Sequence, residues 1–196
     1  LSATGNPGVS RNFPHSPGID AVGEVVESND VNLPKGMQVV VTGFDLGMNT
    51  AGGLAEFVRV PANWVVPLPA NLTAKESMSY GTAGLTAALM VNALLENDVI
   101  PSGGEILVTG ATGGVGSVAV AILAKLGFDV CAVTGKADQA AFLKGLGANS
   151  VVSRDEVIDE KRPMLKERWA GVIDVVGGSL LSSAIKSTKY TGTVTC

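Results

Sequence analysis

Metal-ligating and cross-linking side chains are scarce in this chain of 196 residues, which has two cysteines, Cys131 and Cys196, and one histidine, His15. That count excludes a four-cysteine zinc lobe and a disulfide framework. So few thiols suit a reducing, cytoplasmic compartment. Charge is sparse as well. Charged residues make up 16% of the chain, against about 25% in an ordinary soluble domain. Much of the surface is therefore expected to be covered, by the chain's own layers or by a partner. The formal net charge is −4, and Lys and Arg nowhere gather into a stripe, so nucleic acid is not an expected partner. Residues 1–5 do not read as a signal peptide. The longest apolar helix expected, around residues 85–95, is too short and too polar to cross a bilayer.

What the chain does have is glycine and short apolar runs. Up to residue 72 it reads as β-rich and irregular. Pro and Gly punctuate β-branched runs at 21–26, 38–42, 57–60 and 64–66, the pattern of a small barrel or curled sheet. Thr73-Ala74-Lys75-Glu76 reads as a helix start, and residues 82–96 are apolar at helical spacing. Asn97-Asp98 and Pro101-Ser102-Gly103-Gly104 end that helix. From Glu105 the pattern alternates. Strands are expected at 105–109, 129–133, 150–152, 171–176 and 193–196, with helices at 114–126, 139–146 and 180–187. Alternating strands and helices predict an α/β fold with a doubly wound parallel sheet. Helix 114–126 is apolar almost all round and should lie between two layers. Three segments follow: a β-rich part at 1–72, connecting helices at 73–103 and an α/β part at 104–196. The chain ends inside an expected strand and begins in a loop, so it reads as a fragment of a longer enzyme or as a naturally short product.

The most informative segment is Val108-Thr109-Gly110-Ala111-Thr112-Gly113-Gly114-Val115-Gly116-Ser117. An apolar strand runs into glycines and then into a small-residue helix. Gly113 lets the backbone approach a diphosphate, and Gly116 lets the helix pack closely on the sheet. The helix start offers unpaired amides and partial positive charge. The strand before and the helix and strand after supply the βαβ context that a dinucleotide site requires. Ala111, Thr112, Gly113, Gly114 and Val115 are the expected diphosphate contacts; a purely structural turn is the alternative. NAD binders place a carboxylate at the tip of the second strand, about 20 residues on, for the ribose 2′-hydroxyl. Here that tip reads Val133-Thr134-Gly135-Lys136. A hydroxyl, an open turn and an ammonium suit a 2′-phosphate, so Thr134 and Lys136 point to NADPH over NADH. An ordinary solvated lysine is the alternative for Lys136. Asp138 reads as the N-cap of the next helix.

Several motifs occur in an order that resembles the medium-chain dehydrogenases/reductases. They are Pro14-His15-Ser16-Pro17-Gly18-Ile19-Asp20-Ala21-Val22-Gly23-Glu24-Val25, Gly52-Gly53-Leu54-Ala55-Glu56, Gly81-Thr82-Ala83-Gly84-Leu85-Thr86-Ala87 and the Gly110–Gly116 turn. Arg11-Asn12-Phe13-Pro14 and Thr134-Gly135-Lys136 are similar to the zinc-free branch of acryloyl-CoA reductases and quinone oxidoreductases. The resemblance implies a partial GroES-like substrate domain before a truncated Rossmann sheet, with a cleft between them. It implies NADPH-dependent reduction of an activated C=C bond or a quinone. It also implies a small-molecule partner (an enoyl thioester, enone or quinone), and a homodimer in the full-length form. Zinc-dependent cousins carry Gly-His-Glu where this chain has Gly18-Ile19-Asp20. Ile19 cannot ligate a metal, and no zinc site is expected. The family's Asn-Tyr-Lys-Asp segment is not matched by Tyr80 or Tyr190, so no catalytic acid is assigned.

By the same resemblance Thr82, Gly84 and Thr86 lie near the nicotinamide, or simply pack in a helix. Gly177-Gly178 sits at a strand's carboxyl end, where Gly177 suits a ribose or nicotinamide contact. Asp20 and Arg11 face the substrate or stabilise turns. Asp174, in the run Val172-Ile173-Asp174-Val175-Val176, is expected to be buried, hydrogen-bonded and structural. His15 reads as a loop residue, Cys131 as a buried apolar one, and Trp64 and Trp169 as packing. The glycines of Asn49-Thr50-Ala51-Gly52-Gly53 permit a mobile loop.

Overall fold

The computed structural model describes residues 4, 5, 8 and 13–196. The chain divides into two compact units, Leu1–Thr82 and Ala83–Cys196. Among the described residues the first unit carries an antiparallel sheet of three strands, β1 (Asp20–Glu24), β2 (Gln38–Thr42) and β3 (Val65–Pro67). The β-branched run of β2 takes the centre. It pairs Val40 with Val22 on one side and with Val66 on the other. Trp64, just before β3, stacks on Phe44 with ring centroids 5.2 Å apart.

The run at 57–60 does not form the strand its composition suggests. Among the described residues it pairs with no strand, Phe57 is exposed, and Pro61 closes the run without an amide to donate. The loop at 49–53 is laced down: the amides of Gly52, Gly53 and Leu54 donate to the carbonyls of Ser16, Gly18 and Pro17.

Helix α1 spans Ala74–Glu96. Thr73 opens it with a reciprocal cap. The Thr73 amide donates to a Glu76 carboxylate oxygen at 2.8 Å, and the Glu76 amide donates to Thr73 Oγ1 at 3.2 Å. At Gly81 the backbone leaves the helix, with φ 48° and ψ −150°, a conformation that glycine adopts without steric cost. Across this break the helix runs 23 residues, the span its start signal at Thr73 and its stop at Asn97-Asp98 suggest, and by length and composition it could cross a membrane. The break argues otherwise. Its uninterrupted part, Thr82–Glu96, extends about 22 Å at 1.5 Å per residue, short of a bilayer core of about 30 Å.

The second unit carries a parallel sheet of five strands in the order β6-β5-β4-β7-β8. They are β4 (Ile106–Val108), β5 (Val130–Val133), β6 (Ser150–Val152), β7 (Trp169–Ile173) and β8 (Thr188–Thr195). Helices α2 (Gly114–Lys125), α3 (Ala140–Gly145) and α4 (Gly178–Lys186) connect them. Side chains alternate across the sheet. Ile106, Val108, Val130 and Ala132 bury one way with Leu94, Ala119, Val120 and Leu123. Leu107, Cys131, Val133, Trp169 and Val172 bury the other way with Leu180 and Ala184. Two apolar faces explain why the strands read as unbroken hydrophobic runs. Helix α2 buries Gly116, Ala119, Val120 and Leu123, while Val118 and Ile122 stay half-buried. It is covered on one side more fully than on the other.

Strand β8 begins five residues earlier than its pattern suggests and takes in Gly192. Its pairing with β7 shifts register between Trp169 and Gly171. Strand β7 ends at Ile173, before the expected 176, because the chain turns at Asp174. Successive strands are added toward one edge from β4 to β6 and toward the other from β7 to β8, so the strand order reverses between β4 and β7. Open α/β sheets hold ligands at the carboxyl ends of strands at that point.

Candidate dinucleotide site

Helix α2 opens at this switch point, and its end is uncapped. Gly113 is its N-cap residue, and no side chain bonds there. Of the turn's amides, Ala111 donates to Val133, Gly113 to Gly110 and Ser117 to Gly113. Those of Gly114, Val115 and Gly116, in the first turn, find no backbone acceptor. Unpaired amides and the aligned peptide dipoles together attract an anion. Gly116 makes the geometry possible. A Cβ there would run into the Gly110 carbonyl and come within 2.8 Å of Ala111 Cα. Gly114 faces Ala83, whose Cβ would lie 3.0 Å from a Cβ on Gly114. The start of the second part of α1 thus lies against the turn, with Thr86 half-buried one turn further on. Gly84 is buried in the same stretch.

At the tip of β5, Thr134 is 6% exposed. Its hydroxyl accepts the Lys136 amide at 3.0 Å and lies 3.3 Å from the hydroxyl of Thr112. One buried hydroxyl therefore ties the β5 tip to the glycine turn. Lys136 is exposed. Asp138 is not the expected cap. It lies in a short 3-10 turn, Ala137–Gln139, and its carboxylate accepts the Gln139 side-chain amide at 2.8 Å. α3 starts without a side-chain cap. Beside Gly135 stands Arg154, from the turn after β6, with Nε 3.5 Å from where a Cβ on Gly135 would be. Sequence reasoning missed it because it is 18 positions beyond Lys136. The signal available was the expected strand at 150–152, whose following turn must lie next to that of β5.

At the end of β7, Asp174 is 3% exposed. Its carboxylate accepts Thr109 Oγ1 at 2.6 Å and the amides of Gly177 and Val176 at 2.7 and 3.3 Å. Thr109 Oγ1 in turn accepts the Val175 amide at 3.0 Å. These bonds fold Val175–Gly177 back against the glycine turn, where Val175 Cγ2 would lie 2.7 Å from a Cβ on Gly110. Gly177 forms the N-cap of α4 without side-chain help. Cys131, buried in β5, has its thiol pushed up by burial; it packs rather than reacts.

In the first unit Asp20 caps the restarted helix. Its Oδ1 accepts both the amide and the hydroxyl of Thr82 at 2.8 Å. The expected turn-stabilising role of Asp20 is thus the one its geometry supports, and the Thr82 hydroxyl is given to that carboxylate. His15 Nε2 lies 2.8 Å from the Gly47 carbonyl. Arg11 lies outside the described residues. Among the described residues no three His, Cys, Asp or Glu side chains gather as metal ligands.

Fold and turn together define a Rossmann-type, nucleotide-binding class of domain, and two family models specify it. The alcohol dehydrogenase GroES-like domain matches residues 3–70, and the zinc-binding dehydrogenase model matches 114–196. The chain belongs to the medium-chain dehydrogenase/reductase superfamily. It is 47% identical over 188 residues to the acrylyl-CoA reductase AcuI of Ruegeria pomeroyi, covering 95% of this chain and 57% of that protein. The yhdH oxidoreductase of Salmonella enterica, solved in complex with NADP, matches with a TM-score of 0.95 at 47% identity, over 99% of this chain and 60% of that one. Bacillus subtilis yhfP, solved with NAD bound, matches with a TM-score of 0.90 at 48% identity, over 95% and 57%. The chain thus spans about 60% of the length of the relatives it matches. The residues present do not fit the zinc of the family model's description: Ile19 offers no ligand atom, and no described cluster replaces it.

Proposed function

We infer that this chain carries the nucleotide-binding part of a zinc-independent, NADPH-dependent reductase. The substrate is an activated C=C bond, as in an acryloyl-CoA-like enoyl thioester, or a quinone. The observation that carries this reading is an uncapped helix start beside a β5 tip, Val133–Lys136, that presents Lys136 and holds no carboxylate. In this reading residues 104–196 bind the nucleotide, 1–72 belong to a substrate domain and 73–103 link them in sequence. The amides of Gly114, Val115 and Gly116 bind the diphosphate, with Ala111, Thr112 and Gly113 shaping the turn. Thr134 orients Lys136 toward the 2′-phosphate. Thr86 and Gly177 are assigned to the nicotinamide end. Bound NADPH supplies hydride for the electrophilic carbon of the substrate. The protein's part is to hold it in register and to keep Val175 and Val176 against the turn. The names of AcuI and yhdH, and the NADP of the latter, support the reading. The NAD in yhfP makes the 2′-phosphate contact the point to test. The two thiols, both free, suit a cytoplasmic location.

Lys136→Ala should weaken NADPH about 10-fold, roughly 1.4 kcal/mol, and leave NADH nearly unchanged. Calorimetry with both cofactors measures this, and equal losses would remove the argument. A second reading rests on length: a chain spanning 60% of its relative binds nucleotide but turns nothing over. NADPH oxidation with acryloyl-CoA, a quinone and an enone separates the two, run on this chain beside a parent-length enzyme. Turnover in the longer form alone supports the second reading. Turnover in neither, despite NADPH binding, overturns the reductase assignment.

A further inference from the structure

The turn after β2 holds a phenylalanine where the backbone does not suit one. Phe44 has φ 53°, a left-handed conformation that is costly for a residue with a Cβ and free for glycine. Its side chain is 62% exposed, so burial does not account for it. The ring lies parallel to the Trp64 indole, with 3° between the planes and 5.2 Å between the centroids. The indole covers one face, and the exposure belongs to the other.

The backbone beneath this ring is fixed. The Gly43 amide donates to the Ile19 carbonyl at 3.1 Å, and Leu46, fully buried, anchors the turn. Asp45 is engaged within its own loop. Its carboxylate accepts the Asn49 side-chain amide and its carbonyl accepts the Thr50 hydroxyl, both at 2.8 Å. Trp64 is held just before β3, where Val65 pairs with Val41. A stiff, open aromatic ring costs a ligand little ordering when it binds.

The open face is flat and electron-rich, which favours a flat, electron-poor ring in offset stacking. The surroundings decide the charge of that ring. Residues 42–46 and 61–67 contain one acid, Asp45, and no Lys, Arg or His. Among the described residues no cation stands over either ring. The adenosine end of coenzyme A carries a 3′-phosphate, which would meet an acid here and no partner in these segments. A quinone ring is flat, electron-poor and uncharged.

We propose that Phe44, backed by Trp64, is a stacking subsite for the uncharged ring of a quinone. This rests on the quinone side of the reading above and names a ring contact within residues 1–72, which that reading gives to the substrate.

The full chain is titrated with duroquinone and, separately, with coenzyme A, and followed by NMR. The fully substituted ring of duroquinone offers no open carbon to the exposed thiol of Cys196. Duroquinone should shift the Phe44 amide and ring signals and the Trp64 indole signal saturably. The indole of Trp169, buried in the second unit, should not move. Phe44→Leu keeps an apolar side chain without a flat ring and should weaken duroquinone about 3- to 10-fold, while Phe44→Tyr should bind as the wild type does. Phe44→Gly suits the left-handed backbone, so it should stay folded and lose at least as much affinity as Phe44→Leu. Unchanged duroquinone affinity in the Leu and Gly variants would overturn the proposal, as would a wild type whose Phe44 and Trp64 signals stay still. Shifts there from coenzyme A and none from duroquinone would overturn the choice of an uncharged ring. Each of these failures leaves the dinucleotide reading standing, because NADPH is followed separately at the amides of Gly114, Val115 and Gly116. A parent-length enzyme that shows the Phe44 shifts yet oxidises no NADPH with duroquinone overturns the quinone reading instead.

Discussion

Asp174→Asn is the most informative change to the second unit. The carboxylate is 3% exposed and accepts three uncharged donors, at 2.6, 2.7 and 3.3 Å. The asparagine side chain has nearly the same shape but only one acceptor oxygen. If that oxygen faces the amides of Gly177 and Val176, its NH2 faces Thr109 Oγ1. The threonine hydroxyl already accepts the Val175 amide, and its own proton is then left without an acceptor. In the other orientation, two backbone amides face an NH2. Either way at least one buried donor is orphaned, at about 1–3 kcal/mol. Relief of the buried charge offsets part of this, leaving a net loss of about 1–2 kcal/mol. Urea unfolding measures it. Trp169, buried at the amino end of β7, reports the global transition by fluorescence in a Trp64→Phe background. Thr109→Val should cost a similar amount, and the double variant should cost less than the sum of the two, because both changes break one network. Additive losses, or an asparagine variant within about 0.5 kcal/mol of wild type, would refute the claim that this carboxylate shapes the turn after β7.

Further outcomes follow from the glycine turn and the α1 cap. Gly116→Ala places a Cβ against Gly110 and Ala111 backbone, which cannot yield as a side chain would; a loss of about 1–3 kcal/mol is expected, with weaker binding of 5′-ADP, checked by urea unfolding and calorimetry. Hydrogen bonds from the Thr73 amide and hydroxyl hold the Glu76 carboxyl below its ordinary range. A lowered folded value stabilises the protein above the ordinary carboxylate range and is lost as pH falls through the folded value. Glu76→Gln should therefore lower the melting temperature at neutral pH, and the difference should fade in acid; a constant difference would contradict the cap.

Much of the second unit is legible in the sequence because its signals are local and repeated. Apolar runs of strand length alternate with helices stopped by Gly127 and Gly147, and the glycine turn marks the crossing point. The start of α1 is legible too, since Thr73 and Glu76 satisfy each other within one helical turn. What escapes is what depends on a distant neighbour. Residues 57–60 have strand composition, but among the described residues no strand pairs with them. The span of β8 is set by its pairing with β7, which carries the strand back to Thr188. Asp138 has a capping residue's chemistry, but the chain starts α3 after a 3-10 turn and leaves it outside. Asp20 meets Thr82 across 62 positions, and Arg154 meets Gly135 only through the β5–β6 register. Neither meeting is written in local spacing.

The central claim is that free amides at the start of α2 grip a diphosphate. Amide-resolved NMR of the chain titrated with NADPH tests it directly. Saturable shifts are expected for Gly114, Val115 and Gly116, with smaller ones reaching Thr134 and Lys136. A titration that leaves those amides unmoved while the protein stays folded would contradict it.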